Sequence, residues 1–352
     1  MIDRLLSHDL PRNRWLALAL LLILLGLAAA PFIIPGSKAL GVAAKMMVFI
    51  LLVASFDLLL GYTGIVSFAH TMFFGIGAYG VAIVSTRLGT GWGALAAGIG
   101  VALVASLLLS LLIGLFSLRV KAIFFAMITL AVAAAFQTLA SQLSDITGGE
   151  DGLNFKNPEV LSPSFELGPF DGRLLSYYLV FVVVLLLFLV LLRIVNSPFG
   201  RVLQAIREND FRAEAIGFRT VVYRTLSNVL SAGFACIAGA LLALWLRYTG
   251  PDTTLSFEVM LDILLIVVIG GMGTMFGAVI GSVLFVFAQN YLQDGLKLAA
   301  GALDGVPGFS ALLTPDRWLL WLGVLFVLSV YHFPSGVVGR LRSGLAGQGG
   351  PS

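Results

Sequence analysis

Apolar residues fall into ten long runs separated by short polar stretches: 15–34, 39–60, 66–85, 93–116, 122–140, 176–195, 223–246, 257–275, 277–293 and 316–333. A helix rises about 1.5 Å per residue, so about 20 residues cross the roughly 30 Å hydrocarbon layer of a bilayer. The pattern predicts an all-α polytopic membrane protein of about ten spans. Run 66–85 is rich in glycine and polar atoms, and runs 257–275 and 277–293 are split only by a glycine-rich break, so the expected range is eight to ten. The first run follows Arg12 and Arg14 and passes Ala28-Ala29-Ala30, the outline of a secretory signal. It continues through Phe32-Ile33-Ile34, however, and is read as an uncleaved first span.

Composition removes the soluble alternatives. Of 352 residues, 59% are hydrophobic and 11% charged, against about 25% charged in soluble domains. Mean hydropathy is +1.02. This excludes a soluble enzyme, a nucleic-acid binder and a disordered scaffold, because no aqueous surface could accommodate so much apolar side chain. The lone cysteine, Cys236, rules out an internal disulfide, and its small apolar flanks predict simple packing. His8, His70 and His332 lie too far apart for a zinc-ligand spacing, and no metal or other cofactor is expected.

Charge then predicts orientation. With ten spans and an inner N-terminus, the inner segments carry eleven bases: Arg4, Arg12, Arg14, Arg119, Lys121, Arg201, Arg207, Arg212, Arg219, Arg340 and Arg342. The outer segments carry six: Lys38, Arg87, Lys156, Arg173, Arg247 and Lys297. Outer loop 141–175 also holds six acids: Asp145, Glu150, Asp151, Glu159, Glu166 and Asp171. The excess of bases inside follows the positive-inside rule. The expected organisation is a cytoplasmic segment 1–14, a transmembrane domain 15–333 and a cytoplasmic tail 334–352, with both termini in the cytoplasm. Loop 141–175 lies outside and loop 196–222 inside.

Several polar groups fall at membrane depth: Lys45, Asp57, His70, Thr71, Gln137, Asp262, Gln289 and Asn290. Such groups are costly in lipid and face the bundle interior. Asp57 is read as accepting backbone amides at the break Gly61-Tyr62-Thr63-Gly64. It lies about 18 Å along a helix from Lys45, too far for direct pairing. Asp262 is expected to snorkel outward, and Gln137, Gln289 and Asn290 to bond between helices. Gly273, Gly277 and Gly281 form one small-residue ridge and Ala235, Gly239 and Ala243 another, both suited to close backbone approach within the chain or at a subunit interface. The breaks Gly61–Gly64 and Gly270–Gly273 fall on the same predicted side.

Loop 196–222 carries helix signals of its own. Ser197-Pro198 is an N-cap followed by proline at the first helical position, leading into Arg201–Glu208. Asn209-Asp210 ends that helix and caps a second, Phe211–Ile216, and Gly217 suits a left-handed C-cap. Two readings are open: a basic amphipathic element on anionic lipid, or a docking element for a cytoplasmic partner.

Four stretches together carry a resemblance. Arg207-Glu208-Asn209-Asp210-Phe211-Arg212-Ala213-Glu214-Ala215-Ile216-Gly217 resembles the cytoplasmic EAA-type loop of ABC-importer permeases. Gly61–His70 followed by Phe73–Tyr79 is similar to a stretch shared by branched-chain amino-acid permeases. Thr147-Gly148-Gly149-Glu150-Asp151-Gly152 resembles an element of the LivM-type subunit, and Gly270–Gly281 completes the set in family order. Ile65 stands where that family often has glutamine.

The resemblance implies one half of a translocation pathway for branched-chain or similar small amino acids in a bacterial inner membrane. It further implies two ABC ATPase subunits, a second and unlike permease chain, and a periplasmic binding protein. By resemblance, Glu214, Ala215 and Gly217 sit on a coupling helix, and Thr147–Gly152 supports gating or binding-protein docking. The chain has no G-x-x-x-x-G-K-[ST] phosphate loop, so it is not expected to be an enzyme; ATP hydrolysis falls to partner subunits. Two alternatives stay open: an ion-coupled secondary transporter using Asp57 or Asp262, and an ABC permease for urea or amides.

Overall fold

The computed structural model describes residues 14–33, 36–117, 122–163, 165–167, 170–302, 317–333 and 336–343. Residues 1–13 of the expected segment 1–14 and the bases Arg119 and Lys121 lie outside the described residues. Among the described residues, ten helical segments are long and apolar enough to cross a membrane. In chain order they begin with α1 Arg14–Ile33, α2 Ser37–Thr63, α3 His70–Leu88, α4 Trp92–Ser117 and α5 Ala122–Gln142. A short α6, Ser144–Thr147, opens the next connection, which leads to α7 Gly172–Asn196. Then come the loop helices α8 Pro198–Glu208 and α9 Asp210–Ala215, followed by α10 Thr220–Leu246. A short α11, Pro251–Thr254, leads into α12 Phe257–Gly270, then α13 Met275–Ala302, α14 Trp318–His332 and α15 Gly336–Ser343.

The bundle is built around α2 and α10. Nearly all of α2 from Val42 to Thr63 is buried. On its outside, α1 turns Leu18, Leu21, Leu22 and Leu25 outward. Large apolar residues face the exterior because lipid is the solvent there, while small and hydroxylated residues fill helix contacts. Ser231 Oγ donates to Ser55 O at 2.6 Å, Thr63 Oγ1 and Ser227 Oγ are 2.9 Å apart, and Asn228 Nδ2 donates to Ser110 O at 2.8 Å. His70 Nε2 lies 2.9 Å from Ser55 Oγ. With little hydrophobic force between helices in lipid, such bonds and backbone proximity hold the interior.

Glycine sets the closest approach. A Cβ at Gly239 on α10 would collide with the Phe74 carbonyl on α3, and one at Gly77 on α3 with the Cys236 carbonyl on α10. The ridge at Gly277 and Gly281 likewise packs inside the chain, against Ile266 O and Gly270 O of α12 and Gly271 O of the turn that follows it. Ile65 is buried in a small cluster with Leu59 and Phe125, which gives it a packing role.

Two features differ from the sequence expectation. Residues 336–343 form α15 within what was expected to be a tail, with Val338 fully buried against Leu16 and Ile280. Two short antiparallel ladders also occur, Leu153–Asn154 with Tyr248–Thr249 and Glu166–Leu167 with Phe170–Asp171. Two-residue strands carry too little alternation to be read from sequence.

The α3–α10 contact yields a stability prediction. Gly239→Leu should destabilise the protein by about 1–3 kcal/mol or more, since backbone, not a movable side chain, blocks the new carbon. Gly233→Ala should be tolerated, because its Cβ would meet Leu107 Cδ2 at an ordinary 3.5 Å. Thermal denaturation of the two variants in detergent checks the contrast.

Candidate functional site

The two glycine breaks, far apart in sequence, meet at one end of the bundle. Gly64, with φ 75°, ends α2, and Ile65 N–H bonds back to Leu59 O at 3.1 Å. Between α12 and α13 the chain turns through Gly271 (φ 109°) and Gly273 (φ 78°). Positive φ is available to glycine without steric cost. Breaking a helix inside an apolar medium frees backbone groups that must find partners. Gly273 N–H donates to Asp57 Oδ1 at 2.9 Å. Asp57 therefore does accept a backbone amide, but from the second break rather than from Gly61–Gly64 beside it. A Cβ at Gly61 would overlap both Asp57 and Gly273 N, so glycine is required for the two segments to touch.

The 196–222 loop closes this junction. Ser197 Oγ accepts from Gly200 N–H and caps α8; Asn209 Oδ1 accepts from Arg212 N–H at 2.9 Å and caps α9. Leu203 and Ile206 of α8 are buried while Arg201, Gln204 and Glu208 face outward. From the last turn of α8, Arg207 donates to Gly61 O. Its methylene stem lies on Gly64, where a Cβ would sit 3.1 Å from Arg207 Cγ. A Cβ at Gly273 would sit 2.8 Å from the Arg207 guanidinium. One arginine thus touches both breaks.

The rest of the loop is braced internally. Gly217, with φ 98°, follows α9; its N–H bonds to Glu214 O at 2.9 Å and Phe218 N–H to Ala213 O at 3.1 Å, a Schellman cap. Glu214 Oε1 accepts from Thr220 Oγ1 at 2.6 Å, which ties α9 to α10. Asp210 pairs with Arg224 at 2.9 Å. Phe199 stacks on Tyr223 at 5.8 Å. Phe211 (80% exposed) and Ile216 (72%) project from this braced frame. Neither was singled out in sequence, where a single apolar residue in a loop carries no pattern.

At the other end of the bundle the Thr147–Gly152 element forms a tight turn. Gly148, Gly149 and Gly152 all have positive φ. Thr147 Oγ1 donates to Ala140 O at 2.5 Å, and Tyr248 Oη donates to Asp151 O at 3.1 Å. A Cβ at Gly152 would collide with Thr249 O, so this glycine lets the turn lie against the end of α10. Beside it a polar basin of about 910 Å³ is lined by Asn154, Lys156, Glu159, Ser162 and Arg247, among others.

Within the spans, Asp262 does not snorkel away from the bundle. Gln289 Nε2 donates to it at 3.2 Å, and Lys45 Nζ donates to Gln289 Oε1 at 2.9 Å. Asn290 bonds within its own helix, to Val286 O, rather than between helices. Tyr62 is buried at the first break.

Comparisons with known proteins agree on one family. Residues 38–330 match the family described as branched-chain amino acid transport system / permease component. The chain is 25% identical over 306 residues to the high-affinity branched-chain amino acid transport system permease protein LivM of Salmonella typhimurium, covering 81% of this chain and 71% of that one. The LivM protein of Escherichia coli gives the same identity and coverage, 25% over 81% and 71%. The probable branched-chain amino acid transport permease protein LivM of Methanocaldococcus jannaschii is 28% identical over 250 residues, 68% of this chain and 69% of that one. No solved structure matches the chain. With most of its length, including both glycine breaks and the loop that joins them, inside the match, this chain belongs to the branched-chain amino acid transport permease family.

Proposed function

We propose that this chain forms half of the pathway of an ATP-driven importer for branched-chain or similar small amino acids, and that loop 196–222 docks separate ATPase subunits. The observation that carries this reading is the Arg207 contact with Gly61 at the meeting of the two breaks. A displacement of α8 is delivered directly to α2 and to the α12–α13 turn. Short braced helices pass on rigid-body motion, and bundles respond to it by discrete repacking. Phe211 and Ile216 supply the apolar contact with the ATPase, because exposed aromatic and aliphatic groups on a rigid frame are interface anchors. Glu214, Ala215 and Gly217 shape that frame, through the Thr220 bond and the cap.

In this reading the 196–222 end is cytoplasmic and the Thr147–Gly152 end faces the periplasm, where its turn and polar basin receive the binding protein. The partners are two ATPases, an unlike second permease and the binding protein, which selects the substrate. Lipid surrounds the bundle in the bacterial inner membrane.

An impermeant thiol reagent applied to spheroplasts should label Glu159→Cys and spare Gln204→Cys; Cys236 is buried and gives little background. The reverse pattern would overturn the orientation. Arg207→Ala should leave the bundle folded yet remove a charge-assisted bond of about 1.5–3 kcal/mol. Uptake should fall at least about tenfold while the ATPases still co-purify. Phe211→Asp should instead release the ATPases. Uptake by proteoliposomes that lack ATPase subunits would contradict the whole reading and favour an ion-coupled carrier.

A further inference from the structure

Three polar side chains from three helices meet inside the spans, and the junction of the glycine breaks uses none of them. Lys45 of α2 donates to Gln289 Oε1 of α13 at 2.9 Å. Gln289 Nε2 donates to Asp262 Oδ2 of α12 at 3.2 Å. Lys45 lies roughly 12 Å inside the start of α2, and Gln289 roughly 21 Å from the start of α13. All three side chains are half-buried.

Simple helix adhesion does not account for this choice of residues. Where α10 meets α2 and α4 the chain uses neutral groups, Thr63 with Ser227, Ser231 with Ser55 and Asn228 with Ser110. Here two formal charges of opposite sign are held at membrane depth. Charged groups with an open side facing lipid are costly, and they belong where water or protein covers them. Nearer the end of the bundle the same two helices α2 and α13 carry the exposed ion pair Lys38–Asp294 at 2.6 Å, with Lys38 also over the Tyr291 ring at 5.4 Å. The same pair of helices thus carries charged groups both at the bundle end and at the cluster.

The two charges do not touch each other; one primary amide stands between them. Its oxygen faces the ammonium and its NH₂ faces the carboxylate. An α-amino acid presents the same pair of functions from one carbon, a carboxylate for Lys45 and an ammonium for Asp262. A zwitterion can take the place of the Gln289 amide with each protein charge passing from one hydrogen-bond partner to another, and the net charge stays zero throughout. The Phe49 ring, 5.4 Å from Lys45 Nζ, adds an apolar wall.

We propose that Lys45, Gln289 and Asp262 form a transit site for zwitterionic α-amino acids, with their open side turned to the translocation pathway. This assignment rests on the importer reading above. Lys45 takes the substrate carboxylate, Asp262 takes the ammonium, and Gln289 closes the gap when the site is empty.

The test uses the complete transporter, reconstituted with its ATPases and binding protein, and labelled leucine. Asp262→Asn keeps an oxygen for Gln289 Nε2 but removes the anion, and Lys45→Gln keeps a donor but removes the cation. Each should lower leucine uptake at least about tenfold, with subunit co-purification and melting temperature unchanged. In the wild-type permease–ATPase complex without the binding protein, which would itself take up the ligand, millimolar leucine should raise the melting temperature. Neither 4-methylpentanoate nor 3-methylbutylamine, which carry one charge each, should do so, and Asp262→Asn should abolish the leucine effect. Wild-type uptake in both variants overturns the site. Loss of co-purification in both overturns it too, by making the cluster a structural clasp. If leucine shifts the melting temperature as expected but uptake needs no ATP, the importer reading falls and the site stands.

Discussion

The loop-bearing end of this bundle depends on one constraint: a helix broken where its backbone is buried must satisfy the groups it frees. The chain breaks two helical paths, after α2 and between α12 and α13, and satisfies them from α2 itself and from the 196–222 loop. Asp57 takes the Gly273 amide, and Arg207 takes the Gly61 carbonyl. Glycine at positions 61, 64 and 273 is the steric condition for that meeting, since an added Cβ at each would press on Asp57, Arg207 or the opposing backbone. The same junction receives α15, where a Cβ at Gly336 would collide with Gly271 Cα.

A second consequence concerns mechanics. Loop 196–222 is not a flexible connector laid on the surface. Its helices are capped at Ser197, Asn209 and Gly217, buried through Leu203 and Ile206, and tied to α10 by the Asp210–Arg224 and Glu214–Thr220 contacts. Of the two openings considered from sequence, a helix resting on headgroups needs no such bracing. A helix that passes force into the bundle, as proposed above, does. In that proposal the exposed Phe211 and Ile216 mark where force would enter, and Arg207 where it would leave the loop.

Much of this was legible in the sequence, and the limits have a physical pattern. The spans were readable because about 20 apolar residues in a row have one meaning. The caps at Ser197, Asn209 and Gly217 were readable because capping is chemistry within three or four residues. The importance of both glycine breaks was visible, but not that they meet. Asp57 and Gly273 are 216 residues apart, Arg207 and Gly61 146, Lys45 and Gln289 244. Pairings at such separations are set by helix packing, which no local pattern encodes. Asp262 was misplaced for this reason: its own span suggested water nearby, while its partner stands on another helix. Phe211 and Ile216 escaped because exposure is a property of the fold.

The central claim is that α8 and the second glycine break move as one body. Spin labels at Gln204, exposed on α8, and Met272, half-exposed in the break, report this directly by electron–electron distance measurement in the assembled transporter. The account predicts the same distance in the nucleotide-free and ATP-bound states, and a broader, longer distribution once Arg207 is replaced by alanine. A shift of several ångströms between nucleotide states in the unmodified protein would contradict it.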